Sequence, residues 1–281
     1  MDGATTAIGA DWLSACRRAA ESLQQMFDEL PSTAQRAVET GTRGSGGDDT
    51  LVIDEAAEEL VFSELERLHR EGFRFRAVSE ERGEVDFGSD AVRVVIDPID
   101  GSLNAKRRLP PYAVSIAVAD GPTMADVRFG YVYDFGAGEE WWAQAGGGAF
   151  LDDEPLEPSL GERHGRDGRL ELLAVESADP RWLAGSVAEL AERAYRLRAL
   201  GALAPALCQV AAARFDALLS LRNCRAVDVA AAQLVVREAG GLVTFPRFED
   251  PLGAPLDLTP HSPVVAARSA DTLADLAGLA Q

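Results

Sequence analysis

The sequence predicts an α/β chain of the α+β kind in which helical and stranded layers alternate, and three observations carry that expectation. Apolar residues near the N-terminus recur at helical spacing, the pattern then changes to alternation and short apolar runs, and the second half mixes strands with helices. Over 11–30, Trp12, Leu13, Cys16, Ala20, Leu23, Met26, Phe27 and Leu30 follow one helical face, with Asp11 as cap and Pro31 as stop. Residues 41–49 contain four glycines and no periodicity, which reads as a mobile loop. Ala56, Ala57, Leu60, Val61, Leu65 and Leu68 define a second amphipathic helix that Gly72 ends. Runs over 73–78, 92–96, 112–119, 127–135 and 140–144 read as strands; turn residues between the later ones predict an antiparallel sheet. Further on, strands over 170–175, 197–200, 217–221, 241–245 and 264–266 are interleaved with helices near 181–195, 204–214, 228–239 and 270–279. The polar segment 152–167, with Pro155, Pro158, Gly161 and Gly165, separates an N-terminal half at 1–151 from a C-terminal half at 168–281.

The 281 residues, 47% of them hydrophobic, suffice for one large domain or two halves sharing a cleft. Forty-six acidic against 27 basic residues give a formal charge of −19, which repels nucleic acid and anionic membrane and leaves a local basic patch for an anionic substrate. Lys106 is the single lysine. Cys16, Cys208 and Cys224 sit in apolar surroundings without a zinc or Cys-x-x-Cys spacing, so buried reduced thiols are expected. No apolar run approaches the roughly 18 residues that span a bilayer, and no basic stretch leads into an apolar core at the N-terminus. A soluble, cytoplasmic protein is expected.

Asp97-Pro98-Ile99-Asp100-Gly101-Ser102 follows the apolar run Val92-Arg93-Val94-Val95-Ile96 and is the densest chemical signal. Carboxylate oxygens select hard divalent cations, and Pro98 restricts its own φ and biases Asp97 towards an extended backbone. Both carboxylates and the Ile99 carbonyl can then address one point. Gly101 permits close backbone approach, and Ser102 can begin a helix whose N–H groups attract an anion. Asp54, the Ser79-Glu80-Glu81 segment and Asp228 also fall at element ends, where side chains reach a shared cleft without disturbing the core. So many carboxylates in one place raise each other's pKa unless divalent ions are present. Plainer uses exist: Asp54 and Asp228 as helix caps, Glu80 as a solvated turn residue, Trp141-Trp142 as half-buried strand positions rather than a stacking platform.

Together these segments resemble the magnesium-dependent, lithium-sensitive phosphatases of the inositol monophosphatase superfamily. The resemblance runs through Asp54-Glu55-Ala56-Ala57-Glu58, Ser79-Glu80-Glu81, Asp97 to Asn104, Pro111-Tyr112-Ala113-Val114-Ser115, Val227-Asp228-Val229-Ala230-Ala231-Ala232 and Glu238-Ala239-Gly240-Gly241. It implies a layered α-β-α-β-α sandwich of the sugar-phosphatase type, usually in homodimers, and a phosphoric monoester hydrolase using two or three Mg2+ ions, with Mn2+ as a possible substitute. Carried over position by position, Glu80, Asp97 and the carbonyl of Ile99 would hold the first ion, and Asp97, Asp100 and Asp228 the second. A third would use Glu80 with Asp48 or Asp49. Asp54 and Ser102 would orient the attacking water, with Glu80 counted beside them among the catalytic groups, and the Gly101 and Ser102 N–H groups would bind phosphate. The implied reaction is in-line attack of metal-activated water without a covalent intermediate.

The substrate side departs from that pattern. Ser220-Leu221-Arg222-Asn223 stands where inositol-specific members carry an acidic residue, Val227 replaces a tryptophan, and Gly201-Ala202-Leu203 resembles a Gly-Thr-Ala loop of the sugar pocket without its hydroxyl. Arg222 and Arg225 suit a second phosphate, because guanidinium binds phosphate in bidentate fashion. The expected substrate, a small-molecule phosphate ester, is therefore inositol monophosphate first, fructose 1,6-bisphosphate or both second, and 3'-phosphoadenosine 5'-phosphate third. The alternative of a different class is an inactive scaffold with the same fold.

Overall fold

Strands buried on both faces between helices build the molecule in layers around two sheets. The computed structural model describes residues 7–43 and 49–280. Helix α1 (Trp12–Glu29) is capped by Asp11, whose side chain accepts from the Ser14 N–H, and is followed by a single turn, α2 (Thr33–Arg36). A small antiparallel pair, β1 (Glu39–Arg43) with β2 (Asp49–Leu51), flanks the glycine-rich stretch. Most of that loop and Asp48 lie outside the described residues, as does the Asp49 side chain. Helix α3 (Val52–Arg70) begins two residues before Asp54, the residue that the sequence reading puts at its start.

The first sheet contains β3 (Arg76–Ser79), β4 (Gly83–Asp86), β5 (Arg93–Asp100), β6 (Ala113–Ala119), β7 (Val127–Asp134), β8 (Glu139–Gln144), β9 (Gly148–Leu151) and β10 (Glu154–Pro155), with the short helix α4 (Ser102–Arg107) between β5 and β6. Its order is β10-β9-β8-β7-β6-β5-β3-β4. All neighbours are antiparallel except β3 and β5, which run parallel. The second sheet orders β12 (Ala194–Arg198), β11 (Leu170–Glu176), β13 (Ala217–Ser220), β15 (Val265–Ala267) and β14 (Leu242–Thr244). Helices α5 (Pro180–Arg193), α6 (Leu203–Ala211), α7 (Ala226–Glu238) and α8 (Ala270–Ala277) complete the chain.

Successive strand residues face opposite sides, so each sheet feeds two cores. Val94, Ile96, Val114, Ile116 and Tyr131 pack against α1 and α3. Val95, Ala117, Val132 and Trp141 share a second core with α6, α7 and the Ala174, Leu218 and Ala266 face of the second sheet. Leu173, Val175, Leu219 and Val265 turn outward to Leu190 and Leu276 of α5 and α8. The order α1/α3, sheet, α6/α7, sheet, α5/α8 is the expected α-β-α-β-α sandwich, an α/β fold. Sandwiched on both sides, α7 is apolar around most of its circumference, as a helix without a solvent face must be. Trp141 is wholly buried, and Trp142 stacks on Phe150 at 4.0 Å, so the tryptophan pair is occupied by the protein's own packing. Among the described residues no helix is long and apolar enough to cross a membrane.

Candidate active site

The Asp97 segment owes its shape to an interruption of the β5–β6 ladder. Asp97 pairs with Ser115 and Asp100 with Ala113, so three steps on β5 match two on β6. In an unbroken strand these aspartates would face opposite sides; the extra residue turns them towards one. Pro98, which has no N–H to offer the ladder, lies within the irregularity, and Asp97 Oδ1 accepts from the Ile99 N–H at 2.9 Å. The Ile99 carbonyl in turn accepts from the Ser102 hydroxyl at 3.0 Å, keeping one lone pair free of that bond.

Gly101 follows with φ +91°, and a Cβ there would lie 2.9 Å from the Ala202 Cβ and 3.2 Å from the Pro111 carbonyl. That contact seats Gly101 and Ser102 beside Gly201 and Ala202, two stretches about a hundred residues apart in sequence. Asn104 adds a second tie by donating to the carbonyls of Pro111 and Leu200 at 2.8 and 2.7 Å. Asp100 accepts from the Ala204 N–H at 2.6 Å. It thereby caps α6, whose own N-cap Ala202 has no side chain able to do so.

Glu80 follows β3, and Asp228 sits in the first turn of α7. The structure brings Glu80, Asp97, Asp100 and Asp228 together. Burial pushes the Asp97 carboxyl well above the usual range, and the nearby charges of Glu80, Asp100 and Asp228 push it further. Asp100 is raised by burial and then by Asp228, against the N–H groups of Ala204 and Leu203. Glu80 is raised by burial against the opposing attraction of Arg225. Arg225 is the cation placed among them. Its Nη1 donates to Glu80 Oε1 at 2.6 Å, its Nη2 to Asp228 Oδ1 at 3.0 Å, and its backbone N–H to Asp228 Oδ2 at 3.0 Å. The plain reading of Asp228 as N-cap is thus corrected: Arg225 occupies the N-cap of α7, and Asp228 holds its backbone N–H from within the first turn.

The donor set, oxygen only and more negative than one guanidinium balances, fits hard divalent cations. As the side chains stand, however, no three His, Cys, Asp or Glu groups among the described residues are disposed to hold an ion. The guanidinium lies between Glu80 and Asp228 and keeps them on its own two arms.

Asp54 is buried in the first turn of α3. Arg225, read from the sequence as suited to a second phosphate, is engaged here by Glu80 and Asp228. Arg222 is elsewhere: it stacks on Trp182 of α5 at 4.1 Å and lines a cavity of about 370 Å³ with Asn223 and Arg247. Two buried carboxylates have no role in the sequence reading. Glu176, at the end of β11, accepts from the Leu200 and Gly201 N–H groups at 2.7 and 2.9 Å and so fixes the loop before Ala202. Its signal is a lone acid closing an apolar strand. Glu58, one turn beyond Asp54, is 1% exposed. Its i+4 spacing from Asp54 is the mark that places it on the same helix face.

Comparison with known proteins identifies the family. The profile of the inositol monophosphatase family matches residues 10–280. A protein of Methanothermobacter thermautotrophicus named fructose-1,6-bisphosphatase/inositol-1-monophosphatase is 33% identical over 247 residues, covering 84% of this chain and 85% of that one. The Nus factor SuhB of Escherichia coli is 33% identical over 212 residues, covering 74% and 75%. A crystal structure of an inositol monophosphatase-fructose 1,6 bisphosphatase superposes with a TM-score of 0.80 at 26% identity, covering 96% of this chain and 100% of that chain. With profile, relatives and fold in accord over nearly its whole length, this chain belongs to the inositol monophosphatase family of phosphatases.

Proposed function

We propose that the protein is a magnesium-dependent phosphomonoesterase acting on inositol monophosphate or a related sugar phosphate, with fructose 1,6-bisphosphate as a further substrate. The observation that carries this reading is the meeting of Glu80, Asp97, Asp100 and Asp228, from β3, β5 and α7, beside the Gly101–Ala202 contact. Glu80, Asp97 and the Ile99 carbonyl would hold one Mg2+, and Asp97, Asp100 and Asp228 another, with Mn2+ able to substitute. Bound ions supply Lewis acidity towards water and the ester oxygens. The chain's own groups do the rest. Gly101 and Ser102 present backbone N–H groups to the phosphate at the start of α4, and Gly201 and Ala202 form the adjoining wall. Asp54 and Ser102 orient the water for in-line attack, with the Ser102 hydroxyl already fixed by Ile99. Burial raises the carboxyls of Asp97, Asp100 and Glu80 above the usual range, and a bound cation would offset that cost, which would couple activity to ion binding.

The relative named for both phosphatase activities supports a dual substrate range, and Arg222, stacked on Trp182, is the residue offered to a second phosphate. We further read 1–151 and 168–281 as two halves joined by 152–167, with the site drawing on both. We place the protein in the cytoplasm as a homodimer without nucleic-acid or membrane partners, consistent with buried free Cys16 and Cys208. Phosphate release should be measured with and without Mg2+ from inositol 1-phosphate, fructose 1,6-bisphosphate and 3'-phosphoadenosine 5'-phosphate. Release from one of the first two is expected to require Mg2+ and to drop by about 10³-fold or more in Asp97→Asn, because positioning and charge neutralisation carry phosphoryl transfer. A folded protein that releases phosphate from none of them would leave the inactive-scaffold alternative.

A further inference from the structure

The side chain of Arg225 lies where a cation would be expected. It reaches from the N-cap of α7 to two carboxylates that belong to different sheets' neighbourhoods, with Nη1 on Glu80 and Nη2 on Asp228. All three side chains are largely withdrawn from solvent, at 19% exposure for Arg225, 11% for Glu80 and 15% for Asp228. Its charge also attracts Asp97. Unlike lysine or histidine, arginine does not lose its proton at any ordinary pH, so this positive charge is permanent. A planar guanidinium with two arms is suited to bridging two carboxylates, and divalent ions drawing on Glu80 or on Asp228 would compete for the same oxygens.

We propose that Arg225 is a built-in counter-ion: it closes the Glu80–Asp228 side of the cluster in the ion-free protein, and Mg2+ binding displaces it, so that Arg225 sets the ion affinity of the site. This rests on the metal-dependent reading given above. Without such a cation, the buried Glu80, Asp97 and Asp100 and the half-buried Asp228 would face one another uncompensated, an arrangement that is costly in a low-dielectric interior. With it, the ion-free site is held together, but one Mg2+ must displace the guanidinium from Glu80 and the other from Asp228 before those oxygens are free. Arg225 is therefore a positioning residue that tunes ion binding, not a group that touches the ester.

The test uses the full chain stripped with a chelator. Mg2+ binding is measured by titration calorimetry on wild type, Arg225→Gln and Arg225→Lys, with melting curves of each ion-free protein. The Arg225 Nε–H signal, identified by its disappearance from the spectrum of Arg225→Lys, is followed by NMR during addition of Mg2+ to wild type. The expectation is that Arg225→Gln melts lower without ions yet binds Mg2+ about tenfold more tightly or better, a factor that corresponds to loss of one such competing bond. Arg225→Lys, keeping the charge but not the two-armed bridge, should fall between. The Arg225 signal should shift as Mg2+ saturates. An unmoved signal at saturation, or an affinity in both variants no tighter than in wild type, overturns the proposal while leaving the metal-dependent reading intact. Absence of any Mg2+ binding in wild type and both variants overturns that reading and the proposal together. Should Arg225→Gln fail to fold, Arg225→Lys and the wild-type signal decide.

Discussion

Glu176 ends β11 with both carboxylate oxygens turned to the backbone of residues 200 and 201, and burial pushes its pKa up to about 7 from an ordinary 4.5. The folded protein therefore binds more protons than the unfolded chain between those values, so Glu176 makes stability fall as pH rises through that window and level off above it. In Glu176→Gln the melting temperature of the ion-free protein should fall less steeply from pH 4.5 to 7, as calorimetry would show; an unaltered slope would reject the assignment. The same substitution sets an amide NH2 against backbone donors, so it should also raise KM by loosening the loop that leads to Ala202. The contrast with Asp97 shows what a sequence reveals at this scale. Asp97, Asp100, Gly101 and Ser102 are legible because the bulge, the Asx bond and the helix start are local events within six residues. Glu176 and Arg225 are not legible in the same way, because their partners lie 24 and 145 positions away, where no spacing rule reaches.

At the scale of elements, α7 is the piece whose placement matters most to the site, since it brings Asp228 to the end of β5. It lies close to β7 because Gly130 has no side chain: a Cβ there would be 2.5 Å from the Ala231 carbonyl. The small residues Ala230, Ala231 and Ala232 serve the same close approach from the helix side. Gly130→Ala should cost about 1–3 kcal/mol by overpacking and weaken Mg2+ binding by displacing Asp228, measurable by denaturant titration and calorimetry. Normal affinity with an unshifted midpoint would show that the helix has slack at this contact. Long elements with one polar face, such as α1 and α3, announce themselves in the sequence. The pieces absent from the sequence reading, α2, β1, β2, β4, β9 and β10, are too short for a period to register.

Across the whole molecule, the polar segment between the sheets is fastened rather than loose. Arg268, just after β15, donates to the carbonyls of Leu160, Pro158, Val210, Ala211 and Ala239. Glu162 accepts from the backbone of Arg268 and Ser269 and from the Thr272 hydroxyl. The composition of 152–167, rich in turn formers, shows a connection but not its anchoring, which depends on a residue a hundred positions downstream. Arg268→Ala should destabilise the protein by about 2–4 kcal/mol through carbonyls left without donors, with Mg2+ affinity little changed; a loss below about 1 kcal/mol in denaturant unfolding would show that water replaces the guanidinium at little cost. The central helical layer has a consequence for biosynthesis. The inner face of the first sheet is covered by α7, encoded more than seventy codons after β10. A nascent chain emerging in order must therefore carry that greasy face bare until the ribosome has passed residue 238, so translation past α7, rather than formation of the first sheet, is the step at which the growing polypeptide becomes safe from sticking to others.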